Sequence, residues 1–201
     1  VSVWLEPDLP VYHWYCGVSS SRIEQYFRTL LVGVRRTIFD SSYEEEDLTL
    51  LDWPDPHRLE DLANARLLPF RQAIGQYLSS YASKDLRCCL KKVTLRHIDV
   101  MRGEAQQLMH WIKGCLASCR SPEEAGAIPI QYQIERIADL GEEDSLSLNF
   151  NYSDSREFKW RKFSDGPMGE IESSIGGKLE KISTRIEPLS AHQMIAEALF
   201  F

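Results

Sequence analysis

The sequence lacks the features of a membrane protein and of a secreted disulfide scaffold. It has no uninterrupted apolar run of about 20 residues, the length with which a helix crosses a bilayer. The first residues, VSVWLEPDLP, do not form a secretory signal, because no basic region precedes an apolar core. The five cysteines are odd in number and irregularly spaced. This pattern indicates reduced thiols, and it predicts a nuclear or cytoplasmic protein that has no membrane partner.

Positive charge is also scarce. The chain carries 23 Lys and Arg against 30 Asp and Glu, which gives a formal net charge of −7. A nucleic-acid footprint needs clustered cations that neutralise phosphates, but the basic clusters at 35–36, 91–92 and 159–162 are short and separated. We therefore expect no direct contact with nucleic acid. The composition, 43% hydrophobic and 26% charged, is otherwise that of a globular protein with a core.

The common catalytic and nucleotide-binding motifs are missing as well. The sequence contains no Gly-x-Ser-x-Gly elbow, Walker loop, glycine-rich dinucleotide fingerprint or His-Glu-x-x-His helix. Gly176, Gly177 and Lys178 lack the upstream glycine and the following hydroxyl residue of a phosphate loop. We therefore expect a non-enzymatic protein without catalytic residues and without a cofactor.

The cysteines are the first candidates for a metal site. Cys115 and Cys119 lie four residues apart in MRGEAQQLMHWIKGCLASC, residues 101–119, so both thiols could meet one zinc ion on a helix. His110 would lie about 140° round that helix from Cys115 and would point away. The adjacent Cys88–Cys89 pair would face opposite sides of a strand. We therefore interpret 101–119 as a helix with one buried face that includes both of its cysteines, and we expect no metal.

An acidic cluster with a histidine offers a second candidate site. The segment PDPHRLED brings together Asp55, His57, Glu60 and Asp61. One hypothesis is a metal-dependent nuclease or hydrolase that uses the first three of these side chains. Such a nuclease also needs a strand-borne carboxylate followed by a lysine, which the sequence does not supply convincingly. The other interpretation is a helix start, with acids in its first turn and Pro56 at the first helical position.

Apolar periodicity predicts three amphipathic helices. The first covers residues 19–39 and begins at a serine cap, the second covers 101–119 with Trp111 on its buried stripe, and the third covers Ile175–Ile186. A further helical stretch at 57–82, interrupted near Pro69, belongs to an insertion.

Alternation of apolar and polar residues predicts strands. Residues 128–134 and 146–152 alternate cleanly and are separated by turn residues, so we expect them to pair as an antiparallel hairpin. Other expected strands are 156–163 and the last segment, HQMIAEALFF, while 87–101 is a short strand or a connector. The predicted fold class is α+β, with an antiparallel sheet that contains this hairpin and packs against about three amphipathic helices.

The order of these elements, together with three short motifs, resembles the HORMA domain, most closely its meiotic chromosome-axis branch. The first motif is QLMHWIKGCL, an apolar-Trp-apolar step before a glycine. The second is a strand that ends in Phe150, Tyr152, Ser153 and Asp154, and the third is the junction IEPLS at 186–190. The resemblance covers residues 19–48 and 94–201.

This resemblance implies an adaptor that captures a short closure-motif peptide, from a partner protein or from itself, as an added strand beside its last strand. Such proteins act in chromosome-axis assembly, and their relatives act in checkpoint signalling, often with an AAA+ remodelling ATPase. The implied peptide-binding residues lie on the last strand and on the third helix. They are Met194, Ala196, Ala198 and Phe200 on the strand and Leu179 and Ile182 on the helix.

The chain departs from that family in three places. Residues 1–18 form an N-terminal extension, and 53–92 form an insertion in the domain that spans 19–201. The chain stops at Phe201, about where the C-terminal safety belt that closes over a peptide is expected to begin, so the resemblance implies a domain without that belt. A third hypothesis, besides the adaptor and the enzyme, is an acidic inhibitor-type binding protein, which the net charge of −7 permits.

Overall fold

The computed structural model describes residues 9–30, 33–44, 46–120, 129–137 and 144–200. The chain divides into two compact units: the first is Val1–Ala65 with Ser190–Phe201, and the second is Arg66–Leu189. Within the described residues we distinguish nine strands and six α-helices. In chain order they are β1 Val11–Trp14, α1 Ser20–Leu30, β2 Val34–Phe39, β3 Leu59–Asp61, α2 Leu62–Arg66, α3 Leu68–Leu78, α4 Ser83–Arg87, β4 Leu90–His97, α5 Arg102–Ser118, β5 Gln131–Arg136, β6 Asp144–Tyr152, β7 Glu157–Phe163, β8 Met168–Ser173, β9 Glu180–Arg185 and α6 Ala191–Phe200.

The first unit contains a three-stranded parallel sheet in the order β1-β2-β3. Its apolar side chains form two small clusters. One joins Ile23, Phe39, Leu48 and Trp53, whose indole Nε1 donates a 2.7 Å hydrogen bond to the carbonyl of Leu48. The other joins Ile38, Leu62, Ala65 and Ala198, so it holds α6 to this unit.

The predicted first helix is too long. The helix ends at Leu30, and the apolar residues that we assigned to its last turns, Val34 and Ile38, lie on the central strand β2. Gly33, which lies between α1 and β2, has a φ of +85°. This left-handed conformation ends helices, and glycine adopts it at little cost. Because Val34 and Ile38 are buried in the sheet, an apolar pattern with a spacing of four was compatible with both structures.

The second unit contains a six-stranded sheet in the order β5-β4-β6-β7-β8-β9. The pairing of β4 with β5 is parallel and is connected through α5, whereas the other pairs are antiparallel. Apolar side chains of α3, α4 and α5 form one core with those on one face of this sheet, which include the fully buried Phe150, Phe158 and Trp160. The structure therefore confirms a mixed α+β architecture, with a sheet that is mixed instead of purely antiparallel.

The predicted hairpin is wrong, because β4 lies between its two strands. Val93 and Leu95 of β4 pair with Phe150 and Leu148 of β6, and all four side chains are buried. By contrast, β5 lies at the edge, where its Ile134 is 40% exposed. The more apolar β4 takes the central position because it can bury side chains against both neighbours, whereas Ile128 of the predicted strand lies outside the described residues.

The secondary structure predicted for the two C-terminal segments is wrong in both: the predicted helix contains a strand, and the predicted strand is a helix. The segment predicted as a helix, Ile175–Ile186, forms a turn and then β9, because Gly176 and Gly177 interrupt it and Gly177 has a φ of +79°. The segment predicted as the last strand forms α6. Its sequence, AHQMIAEALF, is rich in strong helix formers, and the amide of Met194 donates to the carbonyl of Ser190 in its first turn.

The other predicted segments differ in how closely they match the structure. The helix predicted at 101–119 is confirmed as α5. The stretch predicted as helical at 57–82 contains β3, α2 and α3. The residues of the predicted insertion at 53–92 contribute strands to both sheets, and the predicted extension at 1–18 contributes β1. Among the residues with described structure, no helix has the length and apolar character to span a membrane.

Candidate functional site

The outer edge of the six-stranded sheet is the best candidate for a binding surface. Among the strands that the structure describes, β9 pairs only with β8, so the backbone groups on its other side have no strand partner. Five of its six residues are exposed. Two apolar side chains lie on or beside it, Ile182 at 44% exposure and Leu179 at 65%. We call Leu179–Arg185 the β9 edge.

The β9 edge rests on a tightly packed base. Ile182 lies opposite the buried Ile171 in the antiparallel register. On the other side of β8, a Cβ atom at Gly169 would lie 2.6 Å from the carbonyl oxygen of Arg161 and 2.9 Å from Cδ1 of Ile186. These distances show that the backbone of Arg161 and the side chain of Ile186 approach Gly169 so closely that a Cβ atom does not fit without a shift.

A tyrosine from α3 anchors the start of β9. The hydroxyl of Tyr77 donates a 2.9 Å hydrogen bond to Oε2 of Glu180 and lies 2.9 Å from the hydroxyl of Tyr81. Burial, followed by these hydrogen bonds, raises the pKa of Tyr77 above its ordinary value. The ring of Tyr77 also stacks on Phe158 with a centroid distance of 5.9 Å. The first residue of the edge strand is therefore tied to the core through one side chain.

The sheet face opposite the helices is polar and its charges are paired. Glu170 of β8 accepts from Nη2 of Arg161 at 2.5 Å and forms a 3.0 Å ion pair with Lys181 of β9. The hydrogen bond from Arg161, supported by Lys181, holds the pKa of Glu170 below its ordinary value. Arg161 also lies 4.0 Å from Asp144, and a shallow cavity of about 260 Å³ opens between these strands beside Asn149. Cations and anions therefore pair across neighbouring strands on this face.

The acidic cluster does not form a metal centre. Asp55 caps the short 3-10 helix Pro56–Arg58 and pairs with Arg58, which confirms a helix start with Pro at its beginning. Glu60 pairs with Arg36. Asp61 accepts from the amides of Ser41 and Ala63, each at 3.0 Å.

These carboxylates therefore each serve a separate structural contact. Burial raises the pKa of both Glu60 and Asp61. Within the described ranges, no group of three or more His, Cys, Asp or Glu side chains could hold a metal ion. The described side chains of this cluster therefore do not converge on one metal position, as the nuclease or hydrolase hypothesis requires.

The predicted buried face of α5 is right for its apolar residues and wrong for its cysteines. Leu108 and Ile112 are buried and Trp111 is half-buried, but Cys115 is exposed and Cys119 is half-exposed. Both thiols line an apolar cavity of about 320 Å³, together with Trp111, Gly75 and Leu86 among others. Burial raises the pKa of the Cys115 thiol. The cysteines line this cavity while their neighbour Leu116 is buried in the core, so the helical period alone could not show their exposure.

The residues that the family resemblance implied for peptide binding lie on other elements than expected. Ala198 is buried within the first unit and its carbonyl accepts a 3.3 Å hydrogen bond from Arg36. Met194 packs against the same cluster, whereas Phe200 is 61% exposed at the end of α6. Because these residues and Ala196 form a helix, they provide no strand edge for a peptide. Leu179 and Ile182, in contrast, belong to the β9 edge of the second unit.

Sequence reasoning missed the strand that these two residues belong to. The signal in GGKLEKISTR was its pair of glycines, which predicts a turn before Ile182 and Thr184, the two residues of high β propensity in this segment. No family model matches the chain, and no curated protein is significantly similar to it in sequence. The structure by itself therefore defines the class of protein: a mixed α+β protein with two units and an exposed edge strand.

Proposed function

We propose that this chain is a non-enzymatic protein-interaction module that binds an extended segment of a partner protein by strand addition at the β9 edge. The observation that carries the proposal is the unpaired outer side of β9 in the described structure, combined with the exposed Ile182 and Leu179. Natural proteins usually protect such an edge, because its free N–H and C=O groups can template another strand. An edge that exposes apolar side chains fits a strand that is completed by a partner.

The side chains of β9 suggest the kind of segment that would bind. Ile182 lies on the same face as the buried Ile171, so an apolar partner side chain beside it would extend the core. Lys181 lies on the opposite face, where it already pairs with Glu170. We therefore expect a partner segment in which apolar residues alternate with polar or acidic ones.

The expected affinity is weak. Each backbone hydrogen bond contributes about 1 kcal/mol net, and covering the exposed part of Ile182 contributes about 1 kcal/mol more. Association itself costs at least about 4 kcal/mol in lost translational and rotational freedom. A six-residue edge strand offers about six outward backbone hydrogen bonds, so the net gain of about 3 kcal/mol corresponds to a Kd in the millimolar range.

The resemblance of the sequence to HORMA domains is the sole basis for the cellular role that we propose. The partner segment would be a closure-motif-like peptide of another protein or of a second copy, in chromosome-axis or checkpoint assembly. An AAA+ ATPase would then be the remodelling partner. The acidic inhibitor-type protein stays an alternative prediction that the net charge permits.

A peptide-display selection on the purified chain tests the binding mode. We expect enriched peptides to alternate apolar and polar residues, and we expect Ile182→Lys to weaken their binding at least tenfold in fluorescence anisotropy. Val100→Lys is the matched control, because Val100 is 74% exposed on the short 3-10 helix Asp99–Met101. This control should leave the Kd unchanged.

N-methylation of the peptide distinguishes strand addition from binding through side chains alone. Methylating every second backbone amide should abolish binding, whereas methylating the intervening amides should be tolerated, because only alternate amides of an edge strand face its partner. Equal tolerance at all positions, or equal binding by Ile182→Lys and Val100→Lys, would contradict the proposal.

A further inference from the structure

Cys88 and Cys89 are adjacent and lie between α4 and β4. In a strand their side chains would face opposite sides, but here they lie side by side. Their Sγ atoms lie 3.3 Å apart, and both side chains are exposed. The residues form a turn that follows α4 directly, and β4 begins only at Leu90. The chain therefore carries a vicinal pair of free thiols that a small reagent can reach from solvent.

The backbone of this turn is strained at Cys89. Cys88 has a φ of −56° and a ψ of 128°, the angles of the first central residue of a type II turn. Cys89 has a φ of +66°, and the second central position of such a turn normally belongs to glycine. A non-glycine residue with a positive φ stores backbone strain, and such strain is a ground for inferring a functional role.

Neighbouring residues hold the turn in place. Arg156 donates from Nη2 to the carbonyl of Cys88 at 2.7 Å and from Nη1 to the carbonyl of Asp85 at 2.9 Å. The amide of Ser153 donates to the carbonyl of Cys89 at 2.8 Å. Because the main chain is fixed on both sides of the peptide bond, the two thiols stay close together in the reduced protein.

We propose that Cys88 and Cys89 form a redox modification site, which a low-molecular-weight disulfide such as oxidised glutathione converts reversibly into a vicinal disulfide. In a disulfide the sulfur atoms lie about 2 Å apart, so closure from 3.3 Å needs only a small movement. The Cα atoms of adjacent residues lie about 3.8 Å apart, which is shorter than the usual span of a disulfide. Strained and exposed disulfides are the ones that thiols reduce readily, so this bond is suited to reversible modification.

The reaction proceeds in two thiol–disulfide exchanges. One thiolate of the pair attacks a sulfur of glutathione disulfide, forms a mixed disulfide and releases the first glutathione thiolate. The second thiolate then attacks the protein sulfur of that mixed disulfide, forms the Cys88–Cys89 bond and releases the second glutathione thiolate. The protein loses two electrons and two protons, and the glutathione disulfide is reduced to two molecules of glutathione.

The pH dependence of the reaction follows from the same contact. The hydrogen bond with Cys89, and then the charge of that neighbour, raise the pKa of Cys88. Because the thiolate is the reactive form, closure should accelerate as the pH rises above the ordinary pKa of a thiol.

The test is incubation of the full chain with oxidised glutathione, alkylation of the remaining thiols and peptide mass spectrometry. We expect the peptide that contains both residues to lose two hydrogen atoms without a glutathione adduct, and to regain them with dithiothreitol. Cys88→Ser and Cys89→Ser should each accumulate a glutathione adduct on the remaining cysteine, because the second exchange is impossible. Cys115→Ser is the matched control and should still close the pair.

A structural control separates the chemistry from the fold. Cys89→Gly removes both the thiol and the backbone strain, so it should melt at a higher temperature while Cys88 accumulates the adduct. A wild-type chain that retains a stable glutathione adduct on either cysteine would overturn the proposal. A disulfide from this pair to Cys16, Cys115 or Cys119 would also overturn it.

Discussion

Replacement of Gly169 by alanine is the sharpest test of how the β9 edge is supported. A Cβ atom at this position would lie 2.6 Å from the backbone oxygen of Arg161 and 2.9 Å from Cδ1 of Ile186. The isoleucine end can rotate away, but the carbonyl oxygen belongs to β7, which is paired on both sides by β6 and β8. The strands can separate only if the hydrogen bonds between them lengthen.

We therefore expect Gly169→Ala to lower the free energy of unfolding by about 3 kcal/mol, at the upper end of the range for overpacked sites. The lost flexibility of glycine in the unfolded chain offsets less than about 1 kcal/mol of this cost. Urea denaturation followed by tryptophan fluorescence measures the change, since a lower midpoint at an unchanged slope reports a loss of stability.

The same chemical change elsewhere in the chain provides the control. Gly114 lies in the interior of α5, and a Cβ atom there would have no neighbour within 4 Å. Gly114→Ala should raise the free energy of unfolding by about 1 kcal/mol, because alanine is the better helix former. If Gly169→Ala raises the midpoint as Gly114→Ala does, the close approach at Gly169 is refuted.

Other measurements test separate contacts. Trp111→Ala should cost about 2 kcal/mol in urea denaturation, less than a fully buried tryptophan, because this ring is only half-buried; no loss would contradict its packing against the core of the second unit. Tyr77→Phe should cost about 1 kcal/mol by the same assay, because it removes the hydrogen bond to Glu180, and an unchanged midpoint would show that the anchor of β9 is ineffective. Burial raises the folded-state pKa of Asp61, so the native state binds the extra proton, and the contribution of Asp61 to stability should fall as the pH rises from about 4 through that raised pKa. The free energy of unfolding of the wild type minus that of Asp61→Asn should therefore fall across this range, and a difference that does not change with pH would refute it. A chelator should leave the melting temperature unchanged, and a large drop would revive a metal site.

Local patterns predicted several elements well because their causes are local. The apolar stripe that includes Leu108 and Ile112 predicted α5, and the alternation in SLSLNFNY predicted β6. In both segments a single face is buried, so period and structure correspond directly. The same reasoning failed for 175–186, where a spacing of three and four residues suited a helix but the glycines at 176 and 177 required a turn. Two consecutive glycines are a stronger local signal than the spacing of four apolar residues, because glycine disfavours a helix and permits a positive φ.

The candidate site was harder to predict than the elements. Leu179 and Ile182 were expected to contact a peptide, but from a helix and on the strength of a family resemblance. Whether they bind a peptide stays a prediction. Their exposure depends on the position of β9 as the outermost described strand of its sheet. That position results from the order in which distant segments of the chain pair. In the same way, the proximity of the Cys88 and Cys89 thiols depends on one positive φ angle, which the sequence of a non-glycine residue does not reveal.

The amino-acid sequence alone determined the mixed α+β class, the helix at 101–119 and the strand at 146–152, because these follow from composition and from the period of burial. Only the tertiary structure decided that β4 separates β5 from β6 and that the acidic cluster is divided among structural contacts. It also decided that β9 lies at an edge of the sheet among the strands of the described residues. The reason is that strand order and side-chain convergence depend on which distant segments bury each other best, and no short window of the sequence contains both partners.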